Sequence, residues 1–267
     1  MHIIVCIKQV PDHGAPQESF IINTSENKVE FRGIQPVLSL FDENALEAAL
    51  QIQDPQKGNV KISILSIGKR ISKPVMMKAL ASGANELFVV EDESFDPVQM
   101  DSFGTAAVLA AAVKKIEKYD LILVGRQSAD WNAGQAGIGL AARLGIPVIT
   151  LAKKVSVSNG KVIVERLIPG GYEAVETKLP AVVMVSNEVG ELRYPTMIQR
   201  RDAKGKPVIS WGIDDIDYHP EESRKVKIHT LIKPEFKQRS CKYITGDTLG
   251  DMGKNLALAL LQDKIIG

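Results

Sequence analysis

YDLILVGRQSADWNAGQAGIGLAARLG, residues 119–145, is the stretch whose reading decides the fold. An apolar run ends in Gly125, a loop of small and polar residues follows, and AGQAGIGLAARLG (133–145) has the spacing of a helix. In an open parallel sheet, ligands collect at the carboxyl ends of the strands. A helix N-terminus there presents unpaired main-chain N–H groups and the positive end of a dipole, which suits phosphate. Ser128, Ala129, Ala133, Gly134, Ala136 and Gly137 carry so little side chain that an anion can approach the main chain. The stretch therefore reads as an anion cradle. A second reading stands beside it, in which Gly137 and Gly139 only permit tight helix–strand packing. GQAGIG is not GxGxxG, and no GxxxxGK[ST] occurs, so neither common nucleotide fingerprint applies.

Working outward, the alternation is regular. IIVCI (3–7), VKISILSIG (60–68), ELFVVE (86–91) and IPVITLAKKVSV (146–157) read as strands. DENALEAALQIQ (42–53), KPVMMKALASG (73–83) and SFGTAAVLAAAVKKIEK (102–118) read as helices, the first with Asp42 as a candidate cap. Strands alternating with single helices predict an α/β fold with a mostly parallel sheet covered on both faces. ESFIIN and KVEFRG, joined by TSEN, predict a hairpin. From residue 151 the turns Asn159-Gly160 and Pro169-Gly170-Gly171 predict antiparallel strands at the sheet edge. Beyond Asn187 periodicity fades until LGDMGKNLALALLQDKII, which reads as a last amphipathic helix. The expected division is an α/β nucleotide-binding domain over 1–190, then a loop and C-terminal arm over 191–267 that drape over the domain or grip another chain.

Composition narrows the function. The chain has 267 residues, 45% hydrophobic and 24% charged, enough for a substantial core. A net charge of +1 supplies no global field for nucleic acid or an anionic membrane. Cys6 and Cys241 are too few for a disulfide scaffold, and Cys6 reads as a packed small side chain. No apolar run approaches the roughly 20 residues a membrane span requires, and the start lacks a secretion signal, so the expected location is the cytoplasm. His2, His13, His219 and His229 have no metal-ligand spacing, and no GxSxG nucleophile elbow is present.

Four stretches, in order over roughly residues 1–210, resemble the β subunit of electron transfer flavoproteins: IIVCIKQVPD (3–12), LFDENALEAAL (40–50), VGRQSADWNAGQAG (124–137) and LPAVVMVSNEVGELRYPTM (179–197). The last fifty or so residues match that family poorly. The resemblance implies a Rossmann-like sheet of the adenine nucleotide alpha hydrolase-like kind, with antiparallel edge strands and an extended C-terminal arm. It implies a heterodimer with an α subunit that holds most of an electron-transferring FAD, and an adenine nucleotide in the β subunit itself. In simple carriers that nucleotide is AMP; in electron-bifurcating members it is a second FAD that oxidises NADH.

Carried over by position, the resemblance implies a nucleotide site built from Cys6, Ser39, Leu40, Phe41, Asp42 and Ile67. The loop adds Gly125, Arg126, Gln127, Ser128, Ala129, Asp130, Trp131, Asn132, Ala133, Gly134, Gln135, Ala136 and Gly137. Asp130 would bond a ribose hydroxyl or a loop amide. His13 and Phe41 would lie near the α-bound flavin. Arg193, Tyr194, Met197, Arg200, Arg201, Lys204 and Lys206 would dock flavin dehydrogenases transiently, with Met197 the apolar anchor.

The match departs from the family in two places. Ser39-Leu40 stands where the family has Asn-Pro. Trp131 and Ala133 stand where bifurcating members have glycine and threonine, which tilts the expectation toward AMP. Two alternatives remain: a bifurcating, NADH-oxidising complex with FAD in the β site, and a nucleotide sensor of the same sheet type with no α partner.

Overall fold

The computed structural model describes residues 1–56, 58–95, 100–219, 224–233 and 241–266. In chain order the main elements are β1 (His2–Cys6), β2 (Gln9–Pro11), β3 (Phe20–Asn23), β4 (Lys28–Phe31), β5 (Pro36–Leu38) and α1 (Leu40–Gln53). Then come β6 (Lys61–Gly68), α2 (Lys73–Ala81), β7 (Glu86–Glu91), α3 (Ser102–Ile116), β8 (Leu121–Gly125) and α4 (Ala136–Leu144). They are followed by β9 (Val148–Ser158), β10 (Lys161–Ile168), β11 (Gly171–Lys178), β12 (Ala181–Val185), α5 (Met197–Asp202), β13 (Val208–Trp211) and α6 (Leu249–Gln262).

Nine strands form one sheet in the order β11-β10-β9-β12-β8-β1-β6-β7-β13. From β9 to β13 all neighbours are parallel, while the β9–β10 and β10–β11 pairs are antiparallel. This is the expected α/β architecture. The chain runs outward from β1 through β6 to β7, then returns through α3 to β8 on the other side of β1. Strand order therefore reverses between β1 and β8, and their carboxyl ends diverge into a crevice at that switch point.

The strands are apolar throughout because both faces are covered, and the period of two sends successive residues to opposite cores. Ile3, Val5, Ile62, Ile64, Leu121 and Leu123 pack with Leu46 and Ala49 of α1 and Leu80 of α2. Ile4, Leu65, Ile122 and Val182 pack on the other face with Val108 and Ala112 of α3 and Leu140 of α4. Asp101 starts α3 by accepting the Gly104 N–H at 2.8 Å, and Gly145, at φ +66°, stops α4. The expected hairpin is the separate β3–β4 pair, in register from Phe20 opposite Phe31 to Asn23 opposite Lys28.

Three sequence expectations are revised. Residues 191–231, expected in the arm, belong to a first compact unit, Met1–Leu231, and a second unit spans Ile232–Gly267. Within the first, β13 adds a parallel strand beside β7, too short and too polar to read from periodicity. Asp42 does not cap α1, because the helix already begins at Leu40 with Ser39 in the cap position. Within the second unit, Thr248 caps α6 by accepting the Asp251 N–H at 3.1 Å. No residue of α6 is buried, and Leu249, Met252, Leu256, Leu258 and Leu261 are exposed.

Two residues of the expected docking set, Arg193 and Lys206, tie their segment to the domain. Arg193 donates to both Glu47 oxygens, at 2.7 and 3.1 Å, and to both Asp54 oxygens, at 3.0 and 2.9 Å. Glu47 lies buried in α1, so its charge is compensated there. Lys206 donates to the carbonyls of Leu80 and Ala84, at 3.0 and 2.6 Å, satisfying acceptors at the end of α2, and burial lowers its pKa. Because Glu47 is buried and Arg193 partly exposed, Arg193→Ala is expected to cost about 2 kcal/mol. A urea midpoint shifted down at unchanged slope checks this; an unshifted midpoint would show the clamp to be idle.

Candidate functional site

The crevice is held by a carboxylate. Asp42, on the first turn of α1, accepts the main-chain N–H of Lys8 at 2.9 Å and of Gly125 at 3.2 Å. Lys8 follows β1 and Gly125 ends β8, so one buried side chain spans the switch point. Gly125 is required sterically: a Cβ there would lie 2.5 Å from Asp42 Oδ1 and 2.7 Å from the Phe41 carbonyl carbon. Ser39, fully buried, accepts the Ala129 N–H on its hydroxyl at 3.3 Å. Burial pushes the Asp42 carboxyl up to about 7, against the opposing effect of the Lys8, Gly125 and Ser39 hydrogen bonds. The buried Cys6 thiol is pushed far above its ordinary value by burial and by the Asp42 charge. A thiol so held suits a packing role.

The loop from Gly125 to α4 is fixed by its own bonds. Arg126 N–H donates to the Val185 carbonyl at 2.8 Å, and Asn132 N–H to that of Ser128 at 3.0 Å. Gln127 donates its side-chain amide to Asn132 Oδ1 at 2.9 Å. The chain then takes two left-handed residues, Asn132 at φ +52° and Gly134 at φ +65°, and enters α4 without a side-chain cap at Gln135. Among the described residues, the N–H groups of Ala133, Gly134, Gln135, Ala136 and Gly137 meet no protein acceptor. Five successive donors at a helix N-terminus can bind an anion.

The glycines divide between the two sequence readings. A Cβ on Gly137 would lie 2.7 Å from Val124 Cγ2 and 2.9 Å from Met184 Cγ, so its absence lets α4 pack on the sheet. Gly139 likewise admits Ala106 of α3. At Gly134 the requirement is conformational: a Cβ would meet only the Arg126 carbonyl at 3.5 Å, but the backbone is left-handed. Trp131 is 47% exposed.

Of the other candidates, Asp130 bonds a loop amide: its Oδ1 accepts the Trp131 N–H at 2.9 Å, and its Oδ2 pairs with Lys8 Nζ at 2.7 Å. Lys8 was not singled out from sequence. The Arg126 guanidinium stacks over the Phe41 ring at 4.6 Å, and its Nε is buried without a partner. Leu40 is exposed, and Ile67 lies within β6, one residue before its end. His13 stands exposed in the turn after β2. In the docking set, Tyr194 and Met197 are 82% and 78% exposed, and Arg200, Arg201 and Lys204 lie nearby on the surface. Ile198, missed in the sequence, is 64% exposed beside Met197. A Thr196–Gln199 capping box fixes the start of α5 beneath them. Among the described residues no cluster of His, Cys, Asp and Glu could hold a metal, and no helix is long and apolar enough to cross a membrane.

A mostly parallel sheet with a loop of free main-chain donors at its switch point defines the class of doubly wound α/β folds. Residues 28–216 match the electron transfer flavoprotein domain family. The chain is 32% identical, over the whole of both chains, to the caffeyl-CoA reductase–Etf complex subunit CarD of Acetobacterium woodii. It is 35% identical to the electron transfer flavoprotein subunit beta of Megasphaera elsdenii, over 78% of this chain and 77% of that one. It is 31% identical to protein FixA of Azorhizobium caulinodans, over 81% and 78% of the two chains. The chain belongs to the electron transfer flavoprotein beta-subunit family. Membership makes it a flavoprotein subunit in electron transfer and implies an alpha-subunit partner.

Asp42 generates a pH prediction. Its folded pKa, about 7, lies above the ordinary 3.8, so folding favours the protonated form. Its stabilising contribution is present below about pH 4 and is lost as pH rises through about 7. Asp42→Asn abolishes that titration, so variant minus wild-type stability should rise from pH 4 to 8, by up to about 4 kcal/mol. Urea unfolding across that range checks it; a constant difference would contradict the burial argument.

Proposed function

We propose that the crevice between β1 and β8 binds an adenine nucleotide, with phosphate on the N–H groups of Ala133–Gly137. The observation that carries this reading is the run of five main-chain donors without protein acceptors at the start of α4. Ser39 and Asp42 secure the loop from the α1 side, and Cys6 lines the wall without taking part in redox chemistry.

In this reading the chain performs no substrate chemistry. It anchors the nucleotide, assembles with the alpha subunit around an electron-transferring FAD, and presents a surface to flavin dehydrogenases. No acid, base or nucleophile is needed, because electrons pass between flavins and docked proteins. Tyr194, Met197 and Ile198, ringed by Arg200, Arg201 and Lys204, suit a transient contact of apolar anchor and basic rim. The nucleotide is AMP, because Ala133 offers no hydroxyl where a threonine would contribute one to a longer phosphate chain. One observation favours a second reading, in which the site holds a second FAD and the complex bifurcates electrons from NADH. CarD aligns with the entire chain, C-terminal unit included, and its name places it in a reductase–Etf complex.

Nucleotides released by denaturing the heterodimer separate the two: one FAD and one AMP support the simple carrier, two FAD and no AMP the bifurcating complex. Gly134→Glu is expected to cut the β-site nucleotide to below about a tenth of wild type by placing a carboxylate at the cradle. Gly134→Asn, which tolerates the left-handed backbone, is expected to retain most of it and controls for strain. Unchanged content in Gly134→Glu would remove the cradle assignment.

A further inference from the structure

Both carboxylates of the crevice converge on Lys8. Its main-chain N–H donates to Asp42 Oδ2 at 2.9 Å, and its ammonium lies 2.7 Å from Asp130 Oδ2. Lys8 follows β1, Asp42 lies in the first turn of α1, and Asp130 sits in the loop after β8. One residue thus joins the three segments that form the crevice. The Asp130 side chain is 17% exposed and that of Lys8 37%. Such a pair is screened less than one standing free in water.

An anion on the Ala133–Gly137 amides would sit in the same loop as Asp130, whose first exposed donor, Ala133, follows only three positions later. Two carboxylates with no cation would oppose it. Arg126, the other cation of the loop, stacks its guanidinium on Phe41 and makes no ion pair with Asp130. The cation paired with the Asp130 carboxylate is Lys8.

We propose that Lys8 is a positioning residue for the nucleotide phosphate: by cancelling the Asp130 charge and fastening that loop to β1, it lets an anion settle on the adjoining amides. The inference rests on the adenylate reading above and adds a residue to it. Its signature is conditional. The lysine is needed only while the aspartate is charged, which a purely structural lysine, or one acting solely as a direct phosphate ligand, would not reproduce.

The test titrates AMP, and FAD in parallel, into the full chain bound to its alpha subunit and stripped of nucleotide, by calorimetry at pH 8. Lys8→Met, which keeps the apolar stem, is expected to weaken binding by about ten-fold or more, and Lys8→Arg by much less. Asp130→Asn should tighten binding by about three-fold, since it removes a repelling charge and frees the ammonium. The double variant Lys8→Met/Asp130→Asn should recover most of what Lys8→Met loses. A double variant as weak as Lys8→Met would overturn the proposal, as would a Lys8→Met complex that binds like wild type. If the wild-type complex binds neither nucleotide, the adenylate reading falls and this inference with it; if the wild type binds and Lys8→Met is unaffected, only the inference falls.

Discussion

The Asp42 carboxylate is the constraint on which the site depends. A doubly wound sheet opens a crevice where strand order reverses, and something must fix the width of that opening. Here a single buried side chain accepts an N–H from each of the two diverging strand ends, after β1 and at the end of β8. Burying the carboxylate is costly, which is why its pKa is raised, and two main-chain donors and the Ser39 hydroxyl offset much of that cost. Close approach of α1 to β8 excludes any side chain at position 125. The loop beyond can then direct its donors outward because its own bonds, from Ser39, Ser128, Asp130 and Val185, are already made.

The same helix connects the site to the surface. Its N-terminal turn braces the crevice, and further along Glu47 receives Arg193, while Asn44 donates to the Gly190 carbonyl at 2.6 Å. The segment leading to the exposed Tyr194, Met197 and Ile198 is therefore seated on the helix that shapes the nucleotide crevice. Under the proposed function, a nucleotide in such a place would act as a structural part of the carrier, leaving the electron path to the flavin.

Much of this was legible in the sequence. Continuous apolar runs alternating with single helices define a covered parallel sheet, and the Asn-Gly and Pro-Gly-Gly turns mark the antiparallel edge. The loop proposed as a cradle reads in the sequence as a patch of small residues after a buried strand. What sequence could not show was which glycine serves which purpose, because Gly137 answers to Val124 and Met184, and Met184 lies 47 residues away in the chain. Asp42 read as a cap because acids at a helix start usually are; the helix in fact begins two residues earlier, which turns the carboxylate inward. Arg193 and Lys206 read as docking charges because their partners come from remote α1 and α2. The presence of Glu47 amid the apolar residues of α1 was the one available signal that a cation had to reach it.

The central claim, that the unpaired amides before and within the first turn of α4 hold the nucleotide phosphate, is tested most directly by amide hydrogen exchange on the nucleotide-stripped heterodimer with and without AMP. The account predicts strong protection of Ala133–Gly137 on binding, together with slower exchange at Ala129 and Gly125. Binding that leaves 133–137 exchanging at the free rate and protects another region would contradict it.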